Sequence, residues 1–326
     1  MAAPECEPTR RPCIPTTMTP TLPPLPPSVH PVDGPGSLPM LRVGNALAQA
    51  LVSLHGAQVL AFHPRHASAD LLFLSDRAVY QPGKAIRGGV PVCWPWFGPD
   101  PQGMGRPAHG LARTRLWALR SASETPAGAT RLTLGLCDSA ETRAVWPHAF
   151  DLSLDITIGA TLRLELRTRN SGDAPFDITQ ALHSYFLVTD IGQTRVQGLE
   201  GGRYIDKATG AGGVEREQLG EVVFAGEVDR IYTGTPARQA IVDAAGERAI
   251  GLVAEGSRTT VVWNPGPAIA AAMADLPDEA YRRFVCVETA NAADEVLTVP
   301  PGGEHRLAVE IGLSGPDRGG SPPPSP

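Results

Sequence analysis

The sequence between residues 152 and 167 reads LSLDITI, GAT and LRLELR, and it decides the class of fold. In residues 152–158, and again in residues 162–167, apolar and polar side chains alternate with a period of two. Such alternation is typical of a strand with one face on a core, and the Gly159-Ala160-Thr161 segment between the runs indicates a tight turn. These residues therefore predict an antiparallel hairpin.

Further runs of the same kind extend on both sides of this hairpin, and Gly, Pro, Asp or Asn bounds each of them. No strand–helix–strand rhythm and no repeat of fixed period accompanies them, which disfavours a parallel α/β fold or a propeller. We expect an all-β protein, a large antiparallel β-sandwich in a single domain over residues 37–314. The runs are residues 131–136, 176–188, 238–242, 259–263, 284–288 and 305–313.

Proline-rich segments lie at both ends of the chain. The 326 residues include 35 Gly and 33 Pro, well above the usual share of roughly 12% for the two together. Residues 1–36 contain the run PPLPP, and residues 315–326 end in SPPPSP. Proline fixes φ and lacks a backbone donor, so both segments are predicted to be disordered tails, unless the first binds a proline-reading module.

Charge and apolar length exclude two classes of partner. The net charge of -6 and the pI near 5.8 leave no basic field for nucleic acid. The longest apolar stretch, residues 267–273, is far shorter than the roughly 20 residues that span a membrane. The N-terminus has no apolar core of the secretory type, so we predict a cytoplasmic location. The five cysteines have no CxxC and no paired zinc-site spacing, so we expect no metal.

Residues 84–99, which read KAIRGGVPVCWPWFGP, are not explained by strand formation. Their aromatic residues Trp94, Trp96 and Phe97 either fill a core or line a concave site, and aromatic faces suit the C–H surface of a sugar. Arg87 lies beside two glycines, which allow a ligand to approach the backbone closely. Its guanidinium can bind a phosphate or carboxylate with two hydrogen bonds, or it is an ordinary exposed or salt-bridged arginine.

Four more ionisable residues are candidates for a site. His109 and Arg113 lie in PAHGLAR (residues 107–113), which is otherwise read as a surface loop. His183 lies in the run ALHSYFL, where a lone strand histidine is commonly structural. Glu288 ends the apolar run FVCVE. Because burying an unpaired carboxylate is costly, Glu288 either reaches solvent at the strand end or has a functional partner.

In combination, these stretches resemble the glucose-6-phosphate 1-epimerase family, the hexose-6-phosphate mutarotases of the aldose 1-epimerase superfamily. The most specific match is IRGGVPVCWPWFGP at residues 86–99. Five shorter matches follow in the family's order: PAHGLAR (107–113), HSYF (183–186), YIDK (204–207), VWNP (262–265) and VCVE (285–288). One departure is Ala108, where some relatives have a glutamine, and it puts one sugar hydrogen bond in doubt.

The resemblance implies a galactose mutarotase-like β-supersandwich, with the sugar site in a cleft on the concave sheet. The implied reaction interconverts the α and β anomers of a hexose 6-phosphate, glucose 6-phosphate first, without a cofactor. We expect a monomer whose partner is this small sugar phosphate. By motif position, His183 is the expected general acid and Glu288 the expected general base. Substrate binding is expected from Arg87, Arg113, Asp206, His109 and Trp263.

These residue types suit the implied chemistry. A base removes the proton of O1 while an acid protonates the ring oxygen O5, and the ring opens, rotates about C1–C2 and closes again. Reference pKa values near 4.3 for Glu and 6.5 for His make such a pair available near neutral pH. Two alternatives stay open: an aldose 1-epimerase of free sugars such as galactose, and a non-catalytic carbohydrate-binding sandwich.

Overall fold

The hairpin over residues 152–167 forms as its alternation predicts. Its strands run Phe150–Ile158 and Leu162–Asn170 and pair antiparallel along their whole length. The N–H of Gly159 donates to the carbonyl of Thr161 at 2.9 Å, which closes the turn. The leucines and isoleucines of both strands are buried and the residues between them are mostly half-buried, so one face of the hairpin lies on a core.

Strands dominate the part of the chain that the computed structural model describes, residues 22–210 and 212–314. The only α-helices there are short, α1 (Ala140–Val145) and α2 (Gly266–Ala272). The first strands are β1 (Val29–Asp33), β2 (Pro39–Gly44), β3 (Ala48–Ser53), β4 (Gln58–Pro64), β5 (Val92–Cys93), β6 (Ala118–Glu124), β7 (Thr130–Cys137), β8 (Phe150–Ile158), β9 (Leu162–Asn170), β10 (Phe176–Ile178) and β11 (Gln180–Leu182). The remaining strands are β12 (Tyr185–Leu187), β13 (Thr194–Gln197), β14 (Arg203–Asp206), β15 (Val214–Glu217), β16 (Val228–Thr233), β17 (Arg238–Asp243), β18 (Arg248–Glu255), β19 (Thr259–Asn264), β20 (Phe284–Asn291), β21 (Leu297–Val299) and β22 (Glu304–Ser314).

Two eight-stranded antiparallel sheets form the body of the molecule. The first, which we call the site sheet, has the order β15-β14-β16-β19-β20-β11-β5, and β12 also pairs with β20. The second has the order β13-β17-β18-β22-β9-β8-β7-β6. A four-stranded sheet, β1-β2-β3-β4, and the β10-β21 pair complete the architecture. The predicted all-β, single-domain sandwich of antiparallel sheets is confirmed.

One apolar core lies between the two large sheets. Val285 and Val287 of β20 belong to it together with Leu164 of β9 and Leu307 of β22, and each of the four is at most 1% exposed. Because side chains alternate along a strand, the residues of β20 between these valines point to the other face of the site sheet. We call this second face the site face.

The folded region begins earlier than the sequence predicts. Residues 1–36 were expected to be a tail, but β1 (Val29–Asp33) pairs with β2, and Val29 is 3% exposed in the main core. Leu22 and Leu25 also pack against that core. The prolines do not prevent this, because β1 is an edge strand, where a missing N–H such as that of Pro31 leaves no bond broken within the sheet. The rest of the predicted tails, residues 1–21 and 315–326, lies outside the described residues.

The run predicted as one strand over residues 176–188 forms three short strands instead. Phe176–Ile178 pairs with β21, whereas Gln180–Leu182 and Tyr185–Leu187 both pair with β20. At the second interruption the N–H of His183 donates to the carbonyl of Pro91 at 3.0 Å rather than to β20. None of the helices in the described residues is long and apolar enough to cross a membrane.

Candidate active site

His183 and Glu288 face each other on the site face. Nδ1 of His183 lies 3.3 Å from Oε1 of Glu288, and the two side chains are 9% and 1% exposed. The contact joins residues that are 105 positions apart in the chain. Both side chains are therefore buried, Glu288 almost completely.

The strand register explains why this pair meets. β11 pairs Leu182 with Thr289, and β12 pairs Tyr185 with Cys286, so both strands keep the same register along β20. In that register the gap between β11 and β12 places His183 opposite Glu288. In this gap His183 does not pair with β20, but its side chain stays on the site face.

Apolar side chains surround the pair on this face. Phe73, Tyr185, Phe284 and Cys286 form one buried cluster, and Cys93, Ala181, Val261 and Ala290 form another. Burial is the main reason that the pKa of Glu288 lies well above its ordinary value. Burial is the main reason that the pKa of His183 lies well below its ordinary value, and the electrostatic effects of the neighbouring His109, Arg113 and Arg87 lower it further. Both shifts favour the neutral imidazole and the neutral carboxyl group.

The two functional groups keep unused hydrogen-bonding capacity. The 3.3 Å approach does not have the geometry of a hydrogen bond, and Nδ1 of His183 and Oε2 of Glu288 have no partner among the described residues. A buried polar atom without a partner is costly, and such atoms are rare in folded proteins. Both groups can therefore still form a hydrogen bond without losing an existing one.

Arg87 is connected to the pair through Tyr185. The guanidinium of Arg87 donates to the Tyr185 hydroxyl at 3.0 Å and forms an ion pair with Asp275 at 3.1 Å. The ring of Tyr185 stacks on the imidazole of His183 with a centroid distance of 4.9 Å and an interplanar angle of 6°. Of the two sequence interpretations of Arg87, the salt-bridged arginine is observed, and the ligand group stays a prediction.

The glycines after Arg87 serve the protein's own packing. Gly88 and Gly89 have φ of 116° and 60°, and a Cβ on Gly89 would collide with the carbonyl oxygen of Val59. At Gly88 a Cβ would lie 2.6 Å from the carbonyl oxygen of Phe73. The close approach that the sequence suggested for a ligand is here made by neighbouring backbone.

Arg113 and His109 come from one loop and flank the pair. Arg113 donates to the carbonyl of Ala108 at 2.9 Å, whereas its buried Nε has no partner among the described residues. The His109 ring lies 5.7 Å from that of His183, and its Nδ1 accepts from the N–H of Gly98 at 3.3 Å. Burial, followed by the charges of Arg113 and Arg87, lowers the pKa of His109 to about 3, so this imidazole is neutral.

Trp263 forms another side of the site. It is half-buried, and its ring meets that of His183 edge to face at a centroid distance of 6.2 Å. The register places Trp263 beside Cys286 on one side and beside Asp229 of β16 on the other. A flat, partly exposed aromatic ring next to an imidazole can contact the C–H surface of a sugar.

Asp229 is a residue that the sequence analysis missed. It lies on the site face, and its charge helps to raise the pKa of Glu288. Burial, and then the charge of Glu227, raises its own pKa to about 6. A sequence signal exists only in retrospect, because Asp229 and Arg230 are adjacent charged residues that hide the alternation of β16.

Asp206 is not brought to the pair. Its neighbour Ile205 is in register with Ile231 on the site face, so Asp206 points to the opposite face of β14. There it forms an ion pair with Arg216 at 3.1 Å. Of the seven predicted site residues, the other six surround one site.

The tryptophans of residues 84–99 fill the core rather than the site. Trp94 and Trp96 are 0% and 3% exposed, and Trp94 packs against Phe150 with ring centroids 4.5 Å apart. Phe97 is half-buried and lies 5.0 Å from the ring of His109. Of the two readings left open by the sequence, core filling holds for both tryptophans, and Phe97 lies at the edge of the site.

Comparison with known proteins gives one consistent answer. The sequence model of the family described as aldose 1-epimerase matches residues 39–312. A protein of Escherichia coli strain K12, provisionally named glucose-6-phosphate 1-epimerase, is 40% identical over 260 residues, which cover 79% of this chain and 84% of the relative. A protein of Cenchrus ciliaris with the same provisional name is 36% identical over 272 residues, covering 80% of each chain.

A solved structure agrees with these relatives. The crystal structure of a protein from Salmonella typhimurium, provisionally described as a mutarotase, superposes with a TM-score of 0.83 at 36% identity, covering 90% of this chain and 96% of the other. The fold is that of the galactose mutarotase-like β-sandwich enzymes. The chain belongs to the aldose 1-epimerase family, and its class of activity is that of an epimerase, an isomerase acting at a sugar carbon.

Proposed function

We propose that this enzyme interconverts the α and β anomers of a hexose 6-phosphate, with glucose 6-phosphate as the first candidate. The observation that carries the proposal is the 3.3 Å approach of His183 to Glu288, close to the positive charges of Arg87 and Arg113. The names of the Escherichia coli and Cenchrus ciliaris relatives support glucose 6-phosphate as the substrate.

The spacing of the pair suits the two proton transfers. O1 and O5 of a pyranose are bonded to the same carbon, C1, so an acid and a base that act on them together must lie within a few ångströms of each other. In the proposed mechanism Glu288 takes the O1 proton while His183 gives its proton to O5, and the C1–O5 bond breaks. Rotation about C1–C2 and the reverse transfers close the ring with C1 inverted.

Burial of the pair favours the ring-opened intermediate. Once the ring is open, His183 is a neutral imidazole and Glu288 a neutral carboxyl group. These are the forms towards which burial shifts the pKa values of both residues. Burial therefore lowers the free energy of the complex with the open-chain aldehyde and two neutral side chains, relative to the complex with the closed ring and the charged pair.

Arg87 and Arg113 are the proposed phosphate ligands. Each carries a positive charge close enough to affect the pKa of His183, and the Nε of Arg113 is buried without a partner among the described residues. Charge-assisted hydrogen bonds to a phosphate dianion are roughly twice as strong as neutral ones. The proposed sugar ring lies against Trp263 and His109, with its anomeric carbon at His183.

One observation favours the alternative, an aldose 1-epimerase of free sugars. Arg87 already has a carboxylate partner, since Asp275 lies 3.1 Å from its guanidinium. If that ion pair is kept when substrate binds, only Arg113 is left for a phosphate. The two candidates share His183 and Glu288 and differ in what occupies the arginine end of the site.

The experiment that separates them is NMR saturation transfer between the α and β anomeric protons. Glucose 6-phosphate and glucose are measured at the same enzyme concentration, with spontaneous exchange subtracted. The proposal predicts a kcat/KM for glucose 6-phosphate at least about tenfold above that for glucose, because one charge-assisted hydrogen bond contributes about 1.5–3 kcal/mol. Equal values, or a higher value for glucose, would support the alternative.

A further inference from the structure

Three chemically different metal ligands converge beside the proposed acid and base. Nδ1 or Nε2 of His183, Sγ of Cys286 and a carboxylate oxygen of Glu288 all lie within 4.8 Å of one another. All three residues are buried, with exposures of 7%, 0% and 1%. In the described residues this is the one such group of histidine, cysteine and acidic side chains.

Two of the three donors lack partners. Nδ1 of His183 and Oε2 of Glu288 have no hydrogen-bond partner among the described residues, and Cys286 is a free cysteine. Unpaired polar atoms at this depth are costly, and coordination of a cation satisfies them. The lack of hydrogen-bond partners is independent of the distances between the ligand atoms, and it indicates the same group of residues.

Neighbouring strands of the site sheet hold the three donors. Cys286 and Glu288 are two residues apart on β20, so their side chains share one face, and His183 projects from the gap between β11 and β12 directly opposite. Zinc bonds of about 2.0–2.3 Å to N, O and S place tetrahedral ligands roughly 3.3–3.8 Å apart. The ligand atoms, which lie within 4.8 Å of one another, therefore have to approach by about 1.5 Å or less for all three to bind one ion.

We propose that His183, Cys286 and Glu288 bind a thiophilic divalent cation, Zn²⁺ foremost. Imidazole and thiolate favour Zn²⁺ over Mg²⁺ or Ca²⁺, and three protein ligands leave a fourth position for water or a sugar hydroxyl. The Cys286 thiol and the Glu288 carboxyl group each release a proton to solvent on binding, so that one thiolate and one carboxylate balance the charge of the cation. The positive charges of Arg87 and Arg113 nearby oppose binding and keep the site from being a permanent metal centre.

Zn²⁺ in this position inhibits epimerisation. It occupies the imidazole nitrogen and the carboxylate that the proposed acid–base mechanism uses, so metal and sugar exclude each other. This consequence rests on the proposed function, whereas metal binding itself does not. The bound Zn²⁺ is therefore a competitive inhibitor and not a catalytic metal.

Cobalt provides the direct test, because Co²⁺ occupies zinc sites and a thiolate ligand gives a sulfur-to-cobalt charge-transfer band. Reduced full-length protein is titrated with Co²⁺, and Zn²⁺ affinity is then measured by displacement. Cys93→Ser is the matched control, since Cys93 is also a buried free cysteine beside Ala181 on the site face but is not in the ligand group. Cys286→Ser replaces the thiolate and keeps the size of the side chain.

The proposal predicts one charge-transfer band per chain in the wild type and in Cys93→Ser, and its loss in Cys286→Ser. Zn²⁺ affinity is expected to fall at least about 100-fold in Cys286→Ser, because losing even a residue behind a ligand costs roughly 10–100-fold. A band and an affinity unchanged by Cys286→Ser would overturn it. If that variant does not fold, Glu288→Gln is used, with weaker Zn²⁺ binding as the expected result and unchanged binding as the contrary one.

Measuring how Zn²⁺ affects epimerase activity tests the metal site separately from the proposed epimerase function. Zn²⁺ is expected to inhibit saturation transfer in the wild type and in Cys93→Ser, at concentrations at least tenfold below those needed for Cys286→Ser. A protein without epimerase activity but with the cobalt band would refute the proposed function and leave the metal site intact. Activity that Zn²⁺ inhibits equally in all three proteins would refute the metal site and leave the function intact.

Discussion

His183 lies directly across from Glu288, with Nδ1 3.3 Å from Oε1, in a gap between two strands that pair with β20 in one register. At this break the N–H of His183 donates to the carbonyl of Pro91 instead of to β20, while the side chain of His183 stays opposite that of Glu288. A continuous strand over residues 180–187 would hold His183 in the ladder. The interruption of the sheet is therefore part of the site.

Replacing Arg87 tests the phosphate end of the site. Arg87→Ala is expected to raise KM for glucose 6-phosphate about 10–100-fold, the equivalent of one lost charge-assisted hydrogen bond, while KM for glucose changes less than about threefold. Steady-state kinetics on both sugars is the measurement. Arg42→Ala, an exposed arginine on β2, is the control and should change neither value. An equal rise for both sugars would remove Arg87 from phosphate binding.

Tyr185→Phe separates the two contacts of this tyrosine. The variant loses the hydroxyl that accepts from Arg87 at 3.0 Å but keeps the ring stacked on His183. We expect KM for glucose 6-phosphate to rise about tenfold or less and kcat to stay within about twofold, since only the support of Arg87 is lost. A fall in kcat of about 100-fold at unchanged KM would instead mean that the phenol takes part in proton transfer.

Gly83 and Gly89 test why the segment around Arg87 is irregular. Gly83 and Gly89 both have positive φ, 79° and 60°, but a Cβ on Gly83 meets open space whereas one on Gly89 meets the carbonyl of Val59. Gly83→Ala is expected to cost about 1–2 kcal/mol of unfolding free energy for its left-handed backbone. Gly89→Ala is expected to cost about 1–3 kcal/mol more through overpacking, measured by urea unfolding. Equal losses would show that backbone conformation alone explains both positions.

The sequence was sufficient for the features that depend on local alternation. The period-two runs predicted β8, β9 and β20, and Glu288 shares a face with Cys286 as a period of two requires. The run over residues 176–188, by contrast, was predicted as one strand and forms three. Alternation reports which way a side chain points, and it does not report where a ladder is interrupted.

Features that depend on contacts between distant segments could not be read from the sequence. Asp275 meets Arg87 across 188 positions, and nothing near Asp275 in the sequence marks that contact. Asp206 was expected at the site from the YIDK resemblance, but the pleat of β14 turns it away from Glu288. The proposed zinc ligands have no paired spacing in the sequence, because β20 supplies two of them and the β11–β12 gap supplies the third.

Anomeric exchange in Glu288→Gln tests the acid–base pair most directly. Glutamine keeps the shape of the side chain but cannot accept the O1 proton, so kcat from saturation transfer with glucose 6-phosphate is expected to fall about 10²–10⁴-fold with the melting temperature nearly unchanged. Glu124→Gln, an exposed glutamate at the end of β6, should keep full activity. Retention of more than about a tenth of the wild-type kcat in Glu288→Gln would contradict the role of Glu288 as the base.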